Sequence, residues 1–84
     1  MRKLRELEDN FNQRFAEYGY LAPKLGKRRH NTLRCLGCNV IFYDGDPESS
    51  ARARMQFVIA KGVAMIHYER SSHIIEFDYT QRAQ

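Results

Sequence analysis

Leu4, Leu7, Phe11, Phe15 and Tyr18 recur at three- and four-residue steps, which places all five on one stripe and predicts an amphipathic helix over residues 2–18. Arg2–Glu6 and Arg5–Asp9 are four apart and can pair on the wet face. Gly19 follows and can close the helix in a left-handed conformation, and Pro23 prevents resumption. Residues 19–34 carry the turn formers Gly19, Pro23, Gly26 and Asn31 and read as a connector. Asn39–Tyr43 is a short β-forming run, apolar on both sides and therefore central in a sheet. Asp46 is placed as a helix N-cap, with Pro47 at the first helical position. Ala51, Met55, Val58 and Ile59 then form the buried stripe of a second helix that Gly62 stops, although Met55–Ala60 also suits a strand. Val63–Glu69 and His73–Tyr79 read as the arms of a hairpin, and Thr80–Gln84 as a polar tail.

The expected architecture is a small single α+β domain over residues 1–84, of order α-β-α-β-β. Two helices pack on a three-stranded mixed sheet. Its parts are the helix 1–18, a basic connector 19–34, a β-α-β-β core 35–79 and a tail 80–84. The strand–helix–strand part would pair its strands in parallel through a right-handed crossover.

Composition narrows the classes. The 84 residues are 43% hydrophobic and 29% charged, an ordinary globular balance. No apolar run approaches the ~20 residues of a membrane span. The start, MRKLRELED, has no apolar region of the secretory type, so the expectation is a soluble, cytoplasmic protein. The net charge of +4 is unevenly placed. Lys24, Lys27, Arg28, Arg29 and Arg34 come with no acid among them, and Arg52, Arg54 and Lys61 form a second basic group. Such clusters attract phosphates or acidic surfaces, or only keep a loop solvated. In the second group Arg54, Phe57 and Lys61 share a flank, an aromatic between two cations that could stack a base. The same pattern arises when Phe57 widens the buried face and its neighbours snorkel.

The most specific local feature is Cys35-Leu36-Gly37-Cys38-Asn39. Two cysteines two residues apart can bend back on one metal, and Asn39 tolerates the left-handed turn this needs. Zinc wants four ligands, so His67 and His73 would complete the set, with His30 as a substitute. On a hairpin, His67 and His73 share a face only if the loop has three residues. Reduced cysteines packed at the core account for the pair without metal, and its place before a strand does not suit a redox motif.

Asp44-Gly45-Asp46 after an apolar strand resembles the start of the aspartate motif of haloacid-dehalogenase-like phosphatases. That resemblance implies Mg²⁺ held by two carboxylates and attack on phosphate. It covers Val40–Asp46 and departs at Pro47, where that family has Gly; the chain is also short for the rest of the fold. His67 and Glu69 would share a strand face as an acid–base pair. No catalytic set converges, so the reading is a small non-enzymatic binding module. Nucleic acid is its expected partner, met through Lys24–Arg34 with Arg52, Arg54, Phe57 and Lys61. The alternatives are a proteinaceous regulator or inhibitor docking on an acidic protein surface, of the kind small phage and plasmid chains supply, and a small zinc-binding protein. Apart from zinc, no cofactor is expected.

Overall fold

The computed structural model describes residues 2–26 and 30–82, with side chains over residues 5–19 and 30–79. The chain runs α1 (Arg2–Tyr18), β1 (Gly19–Gly26), β2 (Asn31–Cys35), β3 (Ile41–Gly45), α2 (Ala51–Ser71) and β4 (Ile75–Arg82). It is a small α+β domain with two helices, as the hydrophobic pattern predicts. The sheet order is β1-β4-β2-β3. β2 pairs antiparallel with β3 and with β4, so these three strands form an antiparallel unit. The parallel pairing expected across a helical crossover does not occur within it. The parallel neighbour of β4 is β1, in register from Gly19 opposite Ile75 to Gly26 opposite Arg82.

Helix α1 forms where its stripe predicts. Phe11 and Tyr18 are fully buried, and Phe15 meets Phe77 of β4 edge to face at 5.9 Å. Gly19 does not close the helix in a left-handed conformation, since no glycine has a positive φ. Its lack of a side chain serves close approach: a Cβ there would lie 1.5 Å from the Ile75 carbonyl oxygen. The segment read as a connector is instead β1 and β2, because its backbone groups find ladder partners on β4 and β3.

The largest departure is α2. Residues 63–69, expected as a hairpin arm, continue the helix, which runs 21 residues. Its N-cap is Ser50 rather than Asp46, the Ser50 hydroxyl accepting from the Ala53 N–H at 3.0 Å. Asp46 instead accepts from the Glu48 N–H in the preceding turn. Gly62 does not stop the helix: it is buried against Leu7 of α1, whose Cδ1 would lie 3.4 Å from an added Cβ. Its missing side chain lets the two helices approach. The helix ends at Ser72, left-handed at φ 61°, whose N–H donates to the Tyr68 carbonyl at 2.7 Å. β4 accordingly begins at Ile75, not His73, and extends through Arg82, well into the segment read as a tail.

The core lies between the helices and one sheet face: Phe11, Tyr18, Phe57, Ala60 and Ala64 against Leu33, Cys35, Tyr43 and Ile75. Of the apolar stripe expected to bury α2, Val58 is inside, whereas Met55 and Ile59 face outward, 42% and 45% exposed. No helix among the described residues is long and apolar enough to cross a membrane.

Candidate metal centre

β2 ends at Cys35, and the chain turns back through Leu36-Gly37-Cys38 before β3. The Cys35 N–H donates to the Val40 carbonyl at 2.8 Å, and the Asn39 N–H to the Cys35 carbonyl at 2.9 Å. Asn39 sits at φ 62°, the left-handed turn that its side chain tolerates. This curls the loop around the first sulfur. The Cys38 N–H points at Cys35 Sγ at 3.4 Å, and the two sulfurs lie 3.3 Å apart.

The histidines arrive from the end of α2 rather than from a hairpin. His67 lies one turn before the helix ends, and its Nε2 is 3.4 Å from Cys38 Sγ. His73 follows the left-handed Ser72, and its Nδ1 is 3.5 Å from Cys35 Sγ. Ser71 bridges the two, donating from its hydroxyl to the His67 carbonyl at 2.6 Å and accepting from the His73 N–H at 3.2 Å. The helix aims His67 at the cysteine loop, and the reversal at Ser72 brings His73 to it. The hairpin-register condition does not arise, because a capped helix end does what the three-residue loop was required to do.

All four donor atoms lie within 4.8 Å of one another, a group that could hold a metal ion. Tetrahedral zinc bonded at its usual lengths sets its sulfurs about 3.8 Å apart, sulfur and nitrogen about 3.6 Å apart, and its nitrogens about 3.3 Å apart. The two sulfur–nitrogen separations fall within about 0.2 Å of that geometry, whereas the two sulfurs, 3.3 Å apart, would have to part by about 0.5 Å. Burial pushes the Cys35 thiol up, but the backbone N–H and thiol of Cys38 and the N–H of Gly37 outweigh it, and its pKa falls below the ordinary thiol value. The Cys38 thiol is pushed up, first by donating to Cys35 and then by burial. The hydrogen bonds that curl the loop thus favour a thiolate at Cys35 over one at Cys38.

Gly37 is the contributor that sequence reasoning missed. A Cβ on Gly37 would lie 2.4 Å from Cγ of the His73 ring, so the ring seats flat on the glycine. The glycine between the two cysteines was the available signal, but its partner lies far along the chain.

The other candidate sites resolve differently. His30 contacts the Asp44 carboxylate instead of the cysteines. Asp44 and Asp46 have separate tasks, the first facing His30 and the second holding the turn before α2. His67 and Glu69 are two apart on a helix rather than on a strand, so they do not share a face, and Glu69 meets Arg14 at 3.7 Å.

The flank of Arg54, Phe57 and Lys61 is not an open stacking surface. Phe57 is 2% exposed, and Lys61 is buried between α1 and α2. The Lys61 ammonium donates to Asn12 Oδ1 at 3.1 Å and faces Glu8 Oε1 at 3.5 Å, over the rings of Phe57, Phe77 and Phe11. Arg54 also pairs with Glu8, and Arg34 with Glu76 at 2.8 Å. Arg52 is exposed, with no ion-pair partner among the described residues. Lys27, Arg28 and Arg29 lie outside the described residues, and Lys24 belongs to β1 with its side chain outside them.

Fold and site together define the class: a small α+β domain whose hairpin turn and helix end converge on a two-cysteine, two-histidine cluster able to take a metal ion. No protein-family model matches the chain, and no curated protein or solved structure matches it.

Proposed function

We propose that this chain is a small zinc-binding domain, with Zn²⁺ on Cys35, Cys38, His67 and His73 fastening the β2–β3 turn to the end of α2. The observation that carries it is the convergence of four donors, from three separate places in the chain, within 4.8 Å of one another. Two thiolates and two imidazoles form a set suited to zinc, and Cys-x2-Cys with His-x5-His lies within the usual ligand spacings. Four protein ligands close the tetrahedron and leave no position for substrate, so the metal acts structurally and the domain is a binding module rather than an enzyme. Native mass spectrometry of protein prepared with zinc tests this. One zinc per chain is expected, retained by His30→Ala and lost from Cys38→Ser; an apo mass for the wild type at saturating zinc overturns it.

A nucleic-acid role is a second reading. Among its described cations Arg34 is paired with Glu76, and Arg54 and Lys61 share Glu8, so it rests chiefly on Lys24, Lys27, Arg28, Arg29 and the exposed Arg52. Five phosphate contacts would make log K fall with log salt at a slope of roughly −4 to −5. Elution from a nucleic-acid column at very low salt would remove that reading.

A further inference from the structure

Helix α2 is apolar on two sides. One side meets the core; the other carries Met55, Ile59, Val63 and Ile66, exposed at 42%, 45%, 48% and 47%. At ~100° per residue these four fall within an arc of about 80°, forming a continuous ridge along the helix. They present roughly 350 Å² of apolar surface, within the range where the largest patch on a monomer is commonly functional. Arg52 and Arg70 lie in the same arc, one beyond each end of the ridge and about 27 Å apart. Both are exposed, with no ion-pair partner among the described residues.

The end charges decide what covers the ridge. An antiparallel pair of α2 helices, with its two-fold between Ile59 and Val63, sets Arg52 against Arg70 of the other copy at both ends. A parallel pair sets Arg52 against Arg52 and Arg70 against Arg70. Either way like charges oppose across an apolar contact. The ridge is also short of the ~800 Å² that each partner of a standard dimer buries. Nucleic acid does not fit, because the centre of the face offers phosphates nothing. An apolar stripe of matching length with a carboxylate at each end satisfies both the ridge and the two guanidiniums. We propose that this face of α2 docks an amphipathic helix of a partner protein that carries acidic residues at both ends of its apolar stripe. The ridge shares no residue with the metal cluster, so the inference does not depend on zinc.

The test uses the full chain, zinc-supplemented, and two fluorescent synthetic helical peptides of about 22 residues. Both carry leucines at the spacing of the ridge; one has glutamates at each end and the other lysines. Anisotropy titration is expected to show saturable binding of the glutamate-ended peptide, weaker by tenfold or more for the lysine-ended one. Ile59→Glu, at an exposed position and checked for an unchanged melt, is expected to reduce binding of the glutamate-ended peptide at least tenfold. Equal affinity for the two peptides, or no saturable binding of the glutamate-ended one, overturns the proposal. So does self-association in sedimentation that Ile59→Glu abolishes, or Ile59-dependent partition onto phosphatidylserine vesicles.

Discussion

A single methyl group tests whether His73 is a ligand. In Gly37→Ala the new Cβ would stand 2.4 Å from His73 Cγ and 2.7 Å from Cδ2 and Nδ1. Carbon contacts begin at about 3.5 Å, so the ring must retreat by about 1 Å, several times the ~0.2 Å that ligand distances tolerate. The backbone accepts the substitution, because Gly37 does not have a positive φ. The cost therefore falls on the metal and not on the fold. Displacing a group that holds a ligand in place typically lowers affinity about 10- to 100-fold, or about 1.4–2.8 kcal/mol. The apo protein should melt unchanged or slightly higher, since alanine narrows the unfolded ensemble. Competition for zinc against a chromogenic chelator gives the affinity, and circular dichroism of the chelated protein gives the melt. Gly45→Ala, whose Cβ would come no nearer than 3.4 Å to the Tyr43 side chain, is the control expected to bind zinc normally. Wild-type affinity in Gly37→Ala would refute the placement of His73 over the cysteine loop.

Removing the metal should destabilise the whole domain. Free zinc at 100 times its Kd contributes about 2.7 kcal/mol, so chelation should lower the melting temperature by roughly 10–20 °C; an unchanged melt contradicts a structural site. The buried Lys61 predicts an asymmetry measurable by urea unfolding. Glu8→Gln should cost about 2–3 kcal/mol by stranding the ammonium, whereas Lys61→Met should stay within about 1 kcal/mol, because Glu8 keeps Arg54; equal losses would refute this. Burial lowers the Lys61 pKa against the opposing pull of Glu8. Between that lowered value and the ordinary ~10.4, the unfolded chain holds a proton that the folded one has released, so unfolding free energy rises with pH. Urea midpoints should therefore rise with pH in the wild type relative to Lys61→Met across that window, and parallel curves would refute the assignment.

How much of this was legible depended on how far apart the cooperating residues stand. The α1 stripe repeats over five positions within one helix and was readable outright. The Cys35–Cys38 spacing is likewise local, and with only three histidines in the chain it led to the four residues that the fold brings together. The geometry joining them was not legible. Val63–Glu69 is apolar on both sides of a helix, a pattern that also satisfies alternation along a strand. What settles it is tertiary: Gly62 against Leu7 and the Ser72 cap. β1 escaped notice for a similar reason, since its partner β4 lies at the other end of the chain and Pro23 and two glycines gave the segment the look of a loop. Of the two readings of the Arg54–Phe57–Lys61 flank, Phe57 widening the buried face is the one that holds, but the burial of Lys61 was not legible, because it needs Glu8 and Asn12 brought across from α1.

The same helix shows what a metal on the cluster would contribute to a chain this small. α2 turns Gly62 to α1 and Phe57, Ala60 and Ala64 into the core, yet leaves Met55, Ile59, Val63 and Ile66 exposed. A helix that spends half its apolar surface on an outward ridge takes correspondingly less stability from burial, and an 84-residue domain has little in reserve. The cluster lies where that deficit is felt. Its histidines are at the end of α2, beyond the buried Ala64, where a helix otherwise frays, and its cysteines are on the hairpin facing that end. Cys35 belongs at once to the core and to the cluster. Metal bound there would add its affinity to the folding free energy at the C-terminal end of α2.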